Sequence, residues 1–200
     1  MKTKVLLIFF LYPISLFGQF NQAGLSLTIL DEGEKLILQN RPDSALVYAQ
    51  AILNRRKLDP LSKNQALLVR GRSLIKNNNA DAAVLPLQKS LSIARKLKNE
   101  PLICRTLIAL GAAMFTKEYP EKDSALIYLE EAKPLAEAWK DTSGLARTYN
   151  GLANIYTDAE DFGKALEMCQ RCEAILKNSQ FEFEKAACYN TCLLYTSRCV

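Results

Sequence analysis

The sequence predicts an all-α, right-handed α-solenoid of antiparallel helix pairs with a period of about 40. Four alanines, Ala45, Ala83, Ala125 and Ala165, recur 38, 42 and 40 residues apart, and the hexapeptide Asp43–Tyr48 returns almost unchanged as Asp123–Tyr128. Between these marks the apolar residues step by three and four, as in Leu107, Leu110 and Met114, which is the spacing of one helix face. The period-2 alternation of a half-buried strand is absent.

The chain opens with a secretory leader at 1–19: Met-Lys-Thr-Lys, an apolar run from Val5 to Phe17, then Gly18-Gln19. Its apolar run is short for a bilayer core of about 30 Å. An exported protein of the bacterial periplasm or cell envelope is therefore expected, with an uncleaved anchor as the alternative. Helix breakers then divide the chain: Asn40-Arg41-Pro42, Asp59-Pro60, Asn77 to Asn79, Glu100-Pro101, Tyr119-Pro120 and Asp141 to Ser143. They delimit pairs at 22–39 with 42–57, 62–77 with 80–98, 101–117 with 122–139, and 143–158 with 162–177. A ninth helix starts near 181. Pro86 falls near a helix start, where it is tolerated, whereas Pro134 is expected to kink its helix or remove a bond.

Small residues stand at nearly constant distance before the four alanines: Gly33, Gly71, Gly111 and Ala153. They allow close helix approach. Single pairs cannot bury their apolar faces alone, so neighbours must stack.

Residues 192–200 read as a non-native tail. One back-translation of Cys192 to Val200 is TGT CTC TTA TAC ACA TCT AGA TGT GTA, whose first six codons resemble the transposon end used in tagmentation sequencing libraries and whose last three begin its reverse complement. The natural chain is then expected to continue beyond Thr191.

Together the marks resemble the tetratricopeptide repeat over residues 22–191. The fourth repeat carries Tyr149, Leu152, Ala153, Tyr156 and Ala165, followed by Cys169 and Cys172. The third carries Leu107, Leu110, Gly111, Met114, Ala125 and Leu129; the second, Leu67, Gly71, Leu74, Ala83 and Leu87; the first is degenerate at Gly33, Leu36 and Ala45. The resemblance implies a non-enzymatic module that binds a protein or an extended peptide, with no cofactor. It also implies that first helices line an inner groove. Transferred positions are Leu68, Arg72 and Lys76 in the second repeat and Arg105, Ile108, Ala112 and Phe115 in the third. The fourth repeat supplies Arg147, Asn150, Asn154 and Thr157. Reversing the charge of Arg72, Arg105 and Arg147 is expected to weaken binding without unfolding the domain. Exported repeats of this kind also resemble the sensor halves of membrane-bound histidine kinases or helix-turn-helix regulators. A membrane contact would then come only from a segment beyond Thr191.

Composition narrows the chemistry. The net charge of +5 drops to about +3 without Lys2 and Lys4 of the leader, too little to imply a nucleic acid. There is no histidine, which excludes His-based triads and nearly all catalytic zinc sites. Phosphate loops and Gly-x-Ser-x-Gly are missing too. Cys169-x-x-Cys172 with Cys188-x-x-x-Cys192 has a four-thiolate spacing. Cys192 falls in the tail, however, and Cys169 and Cys172 occupy packing positions, so buried thiols are expected. The alternatives are a disulfide involving Cys172 and Cys188, or a metal. Cys104 is expected in the core.

Overall fold

A computed structural model describes residues 29–177, 179–181 and 184–191. The leader, residues 22–28 of the first expected helix, and the tail at 192–200 lie outside them. The described residues form an all-α, solenoid-like stack without strands. Its helices are α1 (29–38), α2 (Pro42–Leu53), α3 (Pro60–Lys76), α4 (Ala80–Lys96), α5 (Glu100–Thr116), α6 (Lys122–Ala138), α7 (Thr142–Asp158), α8 (Phe162–Leu176) and α9 (184–191). The first helices α3, α5 and α7 start 40 and 42 residues apart.

The breakers act as caps. Asp59, Asn79, Asn99, Asp141 and Asp161 each accept a backbone N–H from the first turn of the helix that follows. Five of the turns share one closure. Asn40, Asn78, Lys98, Lys140 and Glu160 all have positive φ, between 51° and 59°. The residue after each donates its N–H five residues back, as from Asn79 to the Leu74 carbonyl and from Asp141 to the Ala136 carbonyl. This is the Schellman closure, made here without glycine.

One helix differs from expectation. α2 stops at Leu53, four residues early. Leu58 packs back on Ile52 and Ala66, and a continued helix would carry it away from them. α6 runs on through Pro134, as α4 does through Pro86. Each proline still removes one helical N–H.

The core runs between layers of first and second helices. Ala45, Ala83, Ala125, Ala153 and Ala165 are fully buried, and Tyr149 is nearly so, while Tyr156 is half-buried against Leu129 and Leu152. At Gly71 and Gly111 a Cβ would run into Leu87 and Leu129 of the partner helix in the same pair. Gly33 behaves differently: a Cβ there would meet Val69 of α3, in the next repeat. Gly151 on α7 is a further close approach, where a Cβ would come within 2.8 Å of Leu129 of α6. A buried polar group also crosses the second and third repeats. Asn64 Nδ2 donates to the Ser90 carbonyl at 2.6 Å, and Ser90 Oγ lies 3.3 Å from Thr106 Oγ1.

Candidate peptide-binding groove

Curvature decides which face is concave. Among α2 to α8, α3 touches α5 and α5 touches α7, while the second helices do not meet one another in this way. The first helices therefore form the inner rail. Along it runs a groove of about 260 Å³.

Nine of the eleven transferred positions line this groove. α3 supplies Arg72 and Lys76, α5 supplies Arg105 and Phe115, and α7 supplies Arg147, Asn150 and Asn154. Their placement follows from the repeat, because a residue one helical turn along the same face recurs at the same depth in each first helix. Ile75, Ile108 and Ala112 form the apolar floor between them. Leu68 and Thr157 belong elsewhere: both are buried in the core, Thr157 donating to the Ala153 carbonyl at 2.7 Å.

Two carboxylates that sequence reasoning missed reach groove arginines. Arg72 pairs with Glu34 of α1. Arg147 Nε reaches Glu184 Oε1 of α9 at 3.2 Å, and Ser143 Oγ donates to the same oxygen at 2.7 Å. Glu184 has a side chain only 7% exposed. A readable signal existed: each acid stands 38 or 37 residues from its arginine, one repeat period away. Arg105, by contrast, is exposed and makes no ion pair among the described residues. Burial pushes the Arg72 guanidinium well below its ordinary value, with repulsion from Arg147 and Arg105 adding and Glu184 opposing. Arginine remains charged throughout.

The two asparagines lie on one face of α7 but differ in state. Asn150 Oδ1 accepts from Thr191 Oγ1 at 2.6 Å, so α9 engages it. Asn154 is half-buried and has no hydrogen-bond partner among the described residues.

These ion pairs set the three arginines apart. Reversing Arg72 or Arg147 removes an internal pair and brings two carboxylates together, so only Arg105 reports on the groove alone.

The cysteines pack. Cys172 Sγ donates to the Ala146 carbonyl at 3.5 Å and Cys188 Sγ to the Cys169 carbonyl at 3.8 Å. Cys104 donates to the Ala132 carbonyl at 3.6 Å, and burial pushes its thiol up to about 11. Among the described residues no group of three or more Cys, Asp or Glu is placed to hold a metal ion, and no helix is long and apolar enough to cross a membrane.

Comparison with known proteins gives no matching family model and no matching curated protein.

Proposed function

We propose that the chain is an exported, non-enzymatic binding module of the tetratricopeptide type, and that its concave groove takes an extended peptide or a protein segment. One observation carries the reading: three successive first helices bring Arg72, Arg105, Phe115, Arg147 and Asn154 to a single surface. Cationic and amide groups above an apolar floor suit an extended backbone and its side chains. Binding works by complementarity along a stacked surface, with no bond made or broken. Export rests on the leader at 1–19.

The test is to fill the groove. Ala112→Trp places an indole on its floor, while Ile127→Trp alters α6 on the opposite face, where Ile127 is exposed. A displayed library of random decapeptides is selected on the full chain. Selected peptides that lose binding to Ala112→Trp and keep it with Ile127→Trp support the groove. The opposite pattern contradicts it.

A further inference from the structure

We infer that the groove reads one acidic side chain of an extended peptide, and that Arg105 is the residue that holds it. This rests on the groove being the peptide site.

Three guanidiniums converge in the groove, from α3, α5 and α7. The chain itself satisfies the outer two with carboxylates taken from neighbouring repeats. Glu34 holds Arg72, and Glu184 holds Arg147 with help from Ser143. The middle one is Arg105, on the central helix, and no carboxylate of the described residues reaches it. Three guanidiniums against two carboxylates leave one guanidinium over among the described residues. Glu34 and Glu184 therefore mark the chemistry of the missing third group. A guanidinium fork donates two parallel N–H bonds to a carboxylate.

The surroundings say what carries the carboxylate. Ile108 and Phe115 stand on the same helix as Arg105, so the acidic residue should have apolar neighbours. The groove continues past Arg105 to Lys76 on one side and Asn154 on the other. A chain passing through both ways presents a side-chain carboxylate, and a chain terminus would leave one arm empty.

The experiment uses two random decapeptide libraries on the full chain, one with blocked C-termini and one with free C-termini. The expected result is enrichment of Asp or Glu beside apolar residues in the blocked library. A selected peptide should then bind about tenfold more weakly when its acid becomes an amide. Arg105→Gln should remove that difference, leaving acid and amide peptides alike. Binders without acid enrichment would overturn the carboxylate inference while keeping the groove as a peptide site. Enrichment confined to free C-termini would overturn the side-chain assignment. No binders from either library would overturn both readings.

Discussion

Arg147 reaches Glu184 across 37 residues of sequence, closing α9 onto α7 at 3.2 Å. The contact joins a groove residue to α9, so one side chain both lines the groove and packs against the following helix. Glu184→Gln leaves a partly buried guanidinium short of its partner. α9 should open more readily, by about 1–2 kcal/mol. Hydrogen exchange of the α9 amides should accelerate while those of α3 to α6 stay unchanged.

The groove arginines are not equivalent in stability. Arg72 and Glu34 are each only 17% exposed at the side chain. Arg72→Glu should destabilise the fold by about 2 kcal/mol or more, because it sets two carboxylates against each other. Arg105→Glu, at an exposed position, should change stability by less than about 0.5 kcal/mol. Urea denaturation of the two variants measures the contrast.

Glycines should respond with opposite signs according to what faces them. A Cβ at Gly111 or Gly151 would lie within 2.7 or 2.8 Å of Leu129, inside a packed layer. Either change to alanine should cost about 1–3 kcal/mol. Gly163 begins α8 with nothing nearer than Asp161 Oδ1 at 3.9 Å, so Gly163→Ala should stabilise by about 0.5 kcal/mol. Thermal melts report both signs.

Lys98, Lys140 and Glu160 hold left-handed backbone that glycine adopts at no steric cost. Each single change to glycine should stabilise by about 0.5–1 kcal/mol, the relief of the left-handed position less the added chain entropy. Denaturation midpoints should rise without a change in slope.

Stability should be flat from about pH 5 to 8, since the chain has no histidine. On the acid side, Lys164 holds the Asp161 carboxyl below its ordinary value, and Lys117 does the same to Glu121. Their contribution is complete above the unfolded carboxylate value of about 4 and is lost as pH falls through the lower folded values. On the alkaline side, Cys104 stays a thiol in the fold up to about 11. Unfolded thiols ionise near 8.5, so stability should decline as pH rises from there. Cys104→Ala should remove that part of the alkaline decline in a denaturation series.

The fold was legible because local chemistry and long period agreed. Alanines at constant spacing, apolar steps of three and four, and Asn, Asp and Pro at the breaks all marked the same helices. The nine groove residues were legible for the same reason, since one position per first helix fixes a face. What escaped were relations between repeats. Gly33 packs on Val69 of the next repeat, and Ser90 Oγ meets Thr106 Oγ1 of the next repeat at 3.3 Å. Neither shows in a pattern read one repeat at a time. The turns at Lys98, Lys140 and Glu160 escaped because no glycine marks them. Glu34 and Glu184 escaped because surface acids are common, and their spacing of about one period from an arginine stands out only once the stack is known.

Nuclear magnetic resonance of the full chain, titrated with a peptide selected from the blocked library, tests the groove most directly. The Asn154 side-chain amide and the Phe115 ring should shift on binding, while the Ile127 and Leu85 methyls on the outer helices stay in place. Shifts confined to Ile127 and Leu85, with Asn154 and Phe115 unmoved, would contradict a concave binding site.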